Sequence, residues 1–282
     1  MSGERMAVVV PAGPRDDVAD TVRSVLRWVE RPAIVVVVDD TGGRLPELGG
    51  PPVTVVPAPS GAPGGQGGLW VKLAAGMRYA LDHADFDLLL RLDADALVLG
   101  PGLAGRAAER FAAAPRVGLL GSYRVGPDGA ARDWSPARRV LAGELGVRGL
   151  RAPALRGLLR ELCREASGHG YELGAHPLGG AYVFRAETLR AMRSLGRLDL
   201  PVMARSGAGE DHLFGLLTFA CGYAVDDFGG PGDPLALRWR GLPCAPEQLL
   251  QEGRLVTHSV RFWQETQERE IRRFFAAHRG EG

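Results

Sequence analysis

Lysine is almost missing from this 282-residue chain: of its 34 basic residues, 33 are arginine and only Lys72 is lysine. Asparagine is absent altogether. A GC-rich coding bias accounts for both, and leaves open why a lysine persists at position 72. Charge of neither sign is in excess. The 34 basic and 33 acidic residues give +1 at neutral pH, which removes any general electrostatic case for binding nucleic acid. The three cysteines, Cys163, Cys221 and Cys244, are isolated, odd in number and free of any C-x-x-C pairing, so neither a zinc knuckle nor a disulfide scaffold is supported. No apolar run approaches the roughly 20 residues of a membrane span. The run Met6–Val10 is too short for a secretory signal and is cut by Pro11. These absences predict a cytoplasmic protein with no transmembrane segment and no nucleic-acid partner. What remains is an ordinary globular composition, 45% hydrophobic and 24% charged, over a length able to bury a substantial core. With no repeat or linker in view, one domain over residues 1–282 is expected.

The first hundred residues alternate strand and helix signals. Ala7–Val10, Ile34–Val38, Val53–Val56 and Asp87–Leu92 read as short buried strands. Asp17–Glu30 and Leu69–His83 read as helices, the second after a Gly/Pro-rich loop over 57–68. Continuous apolar strands separated by helices indicate an α/β fold with a mostly parallel central sheet flanked by helices. Ligands in such sheets sit at the carboxyl ends of the strands. Two acidic pairs lie there, Asp39-Asp40 and Asp93-Ala94-Asp95. The stretch 126–174 differs: it is rich in Arg, Gly and Ala, with helices expected near Pro136–Leu145 and Ala154–Ala166. Its arginines read either as a solvated helical face or as an insertion covering a site for an anionic or polar acceptor. Further on, Gly180–Phe184 reads as a strand, and Ala186–Leu195 and Glu210–Cys221 as helices. Arg254–Val256 reads as a last strand and Gln264–His278 as a charged C-terminal helix.

Carboxylates at i and i+2 after a buried strand can share a hard divalent cation, and oxygen ligands favour Mg²⁺ or Mn²⁺. Asp93 and Asp95 fit that pattern, as they also fit a solvated turn. Glu210 and Asp211 fall where a helix begins, where acidic residues also serve as caps. His258, followed three residues later by Arg261, supplies an imidazole suited to a metal and a guanidinium suited to a phosphate.

Taken in order, these pieces resemble the GT-A-fold, nucleotide-sugar-dependent glycosyltransferases, close to the broad family 2 type. The resemblance runs through Val8-Val9-Val10-Pro11, Val37-Val38-Asp39-Asp40-Thr41-Gly42, the 67–81 segment with Lys72, and Arg91-Leu92-Asp93-Ala94-Asp95. It continues through Gly179-Gly180-Ala181-Tyr182-Val183-Phe184-Arg185, Gly209-Glu210-Asp211 and His258-x-x-Arg261. It implies that residues 1–100 bind the donor and that 101–282 carry the acceptor-binding and catalytic half. It further implies a UDP- or GDP-linked sugar donor, a Mn²⁺ or Mg²⁺ ion and a hydroxyl acceptor. Asp93, Asp95 and His258 would hold the metal. Pro11, Asp39, Asp40, Lys72, Arg91, Asp93, Gly179, Gly180 and Arg261 would contact the donor. Asp211, or Glu210, would be the general base of an inverting transfer, although a late metal-binding histidine also occurs in retaining members.

The chain departs from the family after its first strand, where Ala12-Gly13-Pro14-Arg15 follows Pro11, and after the first acidic pair, where Thr41-Gly42-Gly43-Arg44 follows. A haloacid-dehalogenase-like phosphatase also places D-x-D after a strand, with Asp226-Asp227 completing an imitation of the series. Ala96-Leu97 stands where that family has Gly-Thr. A nicotinamide-binding fold needs G-x-G-x-x-G after its first strand, which Pro11-Ala12-Gly13-Pro14 does not provide. A non-catalytic sugar-nucleotide-binding protein is the remaining alternative, and the acids at 93, 95, 210 and 211 argue against it.

Overall fold

The computed structural model describes residues 4–60 and 65–281, so part of the Gly/Pro-rich loop expected over 57–68 lies outside the described residues. The chain begins as strand β1 (Met6–Ala12), helix α1 (Val18–Trp28), β2 (Ile34–Asp39), β3 (Val53–Pro57), α2 (Gln66–His83) and β4 (Leu88–Leu92). All six residues of β2 and all five of β4 are buried, as strands covered on both faces must be. Side chains alternate between the two faces. Val9, Val36 and Leu89 enter one apolar cluster, while Val8, Val35 and Leu90 enter the other. α1 closes the second face with Val18, Val22 and Val25, spaced to form one helical stripe.

A segment with no clear sequence signal follows: β5 (Ala96–Val98), α3 (Leu103–Ala113) and β6 (Val117–Gly121). The arginine-rich stretch then forms α4 (Ser135–Leu145) and α5 (Pro153–Ser167). Next come β7 (Ala181–Arg185), α6 (Ala186–Ser194), α7 (Glu210–Ala220), β8 (Ala224–Asp227), β9 (Leu235–Leu237) and α8 (Pro246–Gln251). The chain closes with β10 (Val256–His258), a hairpin of β11 (Phe262–Trp263) and β12 (Thr266–Gln267), and α9 (Glu268–His278).

The last strand thus lies later than Arg254–Val256. The Arg254 side chain is instead buried and donates to the carbonyls of Gly230, Asp233 and Pro127. The C-terminal helix begins at Glu268 rather than Gln264, because the preceding residues pair as a hairpin.

The large sheet has the order β3-β2-β1-β4-β7-β6-β8. Its strands run parallel except β7, which is antiparallel to both β4 and β6. This reversal matters for the site. The start of β7 falls beside the end of β4, and the Asp93 amide donates to the Gly180 carbonyl at 2.7 Å. A small second sheet, β5-β10-β9, pairs Ala96 with His258, so residue 95 and the end of β10 become neighbours by register. α2 lies close on the large sheet because Gly76 has no side chain: a Cβ there would fall 2.7 Å from Val38 Cγ2 and 2.8 Å from Val9 Cγ1. One turn earlier, Lys72 is thereby set over the strand ends. Among the described residues, no helix is long and apolar enough to cross a membrane.

Candidate metal centre and its surroundings

Two strand ends deliver one candidate ligand set. Asp93 and Asp95 follow β4, and His258 ends β10. His258 Nε2 lies 3.3 Å from Asp95 Oδ1 and 3.6 Å from Asp93 Oδ2. Nδ1 of the ring lies 2.8 Å from the Arg238 carbonyl, which can only accept, so Nδ1 carries the proton and Nε2 faces the carboxylates. Gly180 makes room for the ring: at φ +103° and with a notional Cβ only 2.5 Å from His258 Cγ, no other residue fits. Two carboxylates and one imidazole nitrogen at these separations suit a divalent cation, whose bonds near 2.1 Å put adjacent ligand atoms about 3 Å apart. Asp95 Oδ2 also accepts from Ser259 Oγ at 2.8 Å and from Arg261 Nε at 3.1 Å. Burial opposes the charge on Asp95, but His258, Ser259 and Arg261 outweigh it and hold the carboxyl well below the usual range. Burial likewise favours neutral His258, and Asp95 and Asp93 overcome it and raise the pKa.

Behind this set lies Arg91, 1% exposed. Its Nη2 contacts Asp93 Oδ1 at 2.8 Å and Glu210 Oε1 at 2.6 Å, and its guanidinium sits 5.3 Å from the Tyr182 ring centroid. Two residues expected in the site are buried here. Arg91 is sealed beneath the candidate ligands and engaged by Asp93 and Glu210. Glu210 is likewise buried and pairs with Arg91. Burial raises the Glu210 pKa; Arg91 pulls against this, while Asp211 and Asp93 add to it.

Asp40 and Lys72 meet as an ion pair of 2.5 Å. They share a cavity of about 270 Å³ with Pro11, Asp16, Asp93 and Asp95. Asp39 is buried as well: its carboxylate accepts from the Thr41 amide at 2.7 Å, Thr41 Oγ1 at 2.6 Å and the Gly43 amide at 2.9 Å. It shapes the loop after β2 rather than facing the cavity. Arg261 stands at the rim, donating to Asp95, to Asp16 at 2.6 Å and to Glu268 at 3.0 Å. Asp226 and Asp227 lie elsewhere. Asp226 pairs with Arg110, and Asp227 caps the amides of Tyr123, Arg124 and Val125.

Asp211, in the first turn of α7, accepts from the Gly179 amide and from its own neighbour's amide at His212, both at 2.9 Å. Phe214 anchors that helix against Trp70 and Phe184, each 5.8 Å away between ring centroids. His176 and His212 flank Asp211 at 4.0 and 3.6 Å. This second trio does not suit a metal. The Arg132 guanidinium donates to His176 Nε2 at 3.1 Å, and the Gly209 amide donates to His212 Nδ1, which leaves the proton on Nε2. Burial would raise the pKa of Asp211, yet His212, His176 and Arg132 hold it below its ordinary value.

Arg132 was invisible in the sequence, as one of eight arginines between 132 and 166. It anchors the arginine-rich segment to the site by donating to the Ser122 and His176 carbonyls, each at 2.6 Å. It also lines a groove of about 600 Å³ with Leu178, Arg238 and Trp239, which is 72% exposed. Most of the other arginines in that segment lie on exposed helix faces.

No family model matches the sequence, and no curated protein does. Among solved structures the chain is similar to a mannosyltransferase, PcManGT, from Pyrobaculum calidifontis, in complex with GDP-Man and Mn²⁺. The identity is 18%, over 86% of this chain and 59% of that one, with a TM-score of 0.44. It is also similar to glucosyl-3-phosphoglycerate synthase from Mycobacterium tuberculosis, in complex with Mn²⁺, UDP and phosphoglyceric acid. There the identity is 16%, over 100% of this chain and 80% of that one, with a TM-score of 0.44. A second structure of that synthase, with Mn²⁺, UDP and glucosyl-3-phosphoglycerate, gives a TM-score of 0.40 at 16% identity, over 100% of this chain and 82% of the other.

The Arg91 arrangement generates a stability prediction. Arg91→Met leaves Asp93 and Glu210 without their buried partner and is expected to cost about 3–5 kcal/mol in urea unfolding. A loss below about 1 kcal/mol, the range of an exposed pair, would show that the buried ion pairs are not what holds these elements together.

Proposed function

We propose that this chain is a metal-dependent glycosyltransferase of the GT-A type, moving a sugar from a nucleoside-diphosphate donor to a hydroxyl acceptor. One observation carries the reading. Asp93, Asp95 and His258 Nε2 converge at the carboxyl end of β4, and the two carboxylates line a cavity that also holds Asp40 and Lys72. Asp93, Asp95 and His258 would hold Mn²⁺ or Mg²⁺. When bound, a divalent cation supplies Lewis-acid stabilisation of the diphosphate leaving group.

The chain's own residues do the rest. Asp40 meets the ribose or base of a UDP or GDP moiety, and Pro11 lines the same wall. Lys72 offers a compact ammonium to the nucleotide, with donors beyond the one engaged by Asp40. Arg261 presents a guanidinium at the rim, where the leaving phosphate emerges. Gly179 and Gly180 allow the sugar to approach main chain. The groove beside Arg132 and Leu178 receives the acceptor: Leu178 adjoins Gly179, whose amide holds Asp211, and Trp239 gives it an exposed aromatic wall. Asp211, ionised at neutral pH, takes the acceptor proton in an in-line, inverting displacement. Transfer with retention has one observation in its favour. Both Asp211 oxygens already accept amide protons, and neighbouring imidazoles and Arg132 weaken its basicity. A haloacid-dehalogenase-like reaction is disfavoured, since Arg91 neutralises Asp93, which would have to act as nucleophile.

Three outcomes are expected. In thermal-shift assays with Mn²⁺, UDP or GDP raises Tm and other nucleoside diphosphates do not, and Asp95→Ala abolishes the shift. A shift that survives Asp95→Ala removes the metal site, and hydrolysis of generic phosphate esters without nucleotide preference favours a phosphatase. Lys72→Arg, which forces a larger planar group into an 8% exposed slot, weakens nucleotide binding measured by calorimetry. Unchanged affinity makes the lone lysine a compositional accident. Asp211→Asn keeps nucleotide binding and lowers kcat by about 10²–10⁴-fold, and the wild-type product shows an inverted anomeric centre by NMR. A retained centre, or near-normal turnover in the variant, overturns the base assignment.

A further inference from the structure

We propose that Arg272, on the C-terminal helix α9, is a positioning residue for cation binding at the Asp93-Ala94-Asp95 turn. Arg272 is 5% exposed, and its Nη2 donates to the Ala94 carbonyl at 2.9 Å. Ala94 lies between the two carboxylates, so the orientation of that peptide sets the angle at which Asp93 and Asp95 face one another. Thr21 Oγ1 lies 2.7 Å from the same carbonyl and 3.0 Å from the Ala96 carbonyl, its one proton shared between them, and so fixes the turn from α1.

α9 reaches the motif by a second route. Arg272 Nε donates to Glu268 Oε1 at 2.9 Å, Glu268 Oε2 accepts from Arg261 Nη1 at 3.0 Å, and Arg261 Nε donates to Asp95 Oδ2. One arm therefore grips the main chain of the turn and the other the outer oxygen of Asp95, leaving Oδ1 toward His258.

A guanidinium close to a cation site would ordinarily repel the cation. Here the charge of Arg272 is met by Asp20 Oδ2 at 3.0 Å and by Glu268, so the network imposes geometry without adding net positive charge. Arg279 donates to the same Asp20 and to Glu281, but makes no contact with the motif. It is therefore an internal control for stability alone. The inference rests on the cation site proposed above.

The test measures Mn²⁺ binding to the full chain, without nucleotide, by titration calorimetry, with thermal unfolding in parallel. Wild type binds Mn²⁺. Arg272→Met binds it about 10–100-fold more weakly, the usual penalty for removing a partner that orients metal ligands. Arg272→Lys, which can restore one of the lost bonds, regains part of that affinity. Arg279→Met lowers Tm and leaves Mn²⁺ affinity unchanged. Wild-type affinity in Arg272→Met overturns the proposal, as does an equal loss in Arg279→Met, which would reduce Arg272 to general stability. If Arg272→Met does not fold, Thr21→Val removes the other donor to the Ala94 carbonyl and is expected to weaken Mn²⁺ binding in the same direction. Wild-type affinity there also overturns it. Failure of the wild type itself to bind Mn²⁺ overturns the cation site first and this inference with it, an outcome distinct from the others.

Discussion

The buried guanidinium of Arg91 is the constraint on which the site depends. A charge this deep in a sheet is tolerated only when counter-charges meet it, and two do: Asp93 at the end of its own strand and Glu210 at the start of α7. The pairing forces the first turn of α7 against the carboxyl end of β4. Asp211 is placed as a result, because it follows Glu210 in that turn. The acidic motif and the second carboxylate pair, far apart in sequence, are thus parts of one electrostatic unit. Tyr182, on the neighbouring antiparallel strand, lies beside the guanidinium and completes the enclosure.

Around that unit the charges are arranged in layers. Asp95 is balanced by His258 and Arg261, Arg261 by Asp16 and Glu268, and Arg272 by Glu268 and Asp20. The near-neutral net charge of the chain is in keeping with this local pairing. On the other side, Asp211 faces two imidazoles and Arg132, a set that stabilises the carboxylate without offering free lone pairs to a metal. The two clusters of acids and histidines differ in chemistry for this reason, although their compositions look alike.

Much of the framework was legible in the sequence. β2 and β4 are unbroken apolar runs, and only strands buried on both faces read that way. Their carboxyl-terminal acids marked the edge where the candidate site lies. Short elements such as β5 and β9 were not legible, because three residues carry no period. Nor did the sequence separate Asp39 from Asp40, or Glu210 from Asp211. Within each pair one carboxylate faces inward, to a loop amide or a buried guanidinium, and the other faces a cavity or a helix terminus. That choice depends on backbone direction at a strand or helix end.

Residue type and spacing by themselves determined the α/β class, the strand-end position of the acids, and the supply of an imidazole and a guanidinium near the C-terminus. Tertiary structure decided which of them meet. The register of β5 on β10 sets Asp95 beside His258, and the missing side chain of Gly180 admits the ring. Packing of α9 brings Arg272 to Ala94 across 178 residues of chain. Local sequence cannot encode such a meeting, because it depends on the summed packing of strands and helices that lie between the partners.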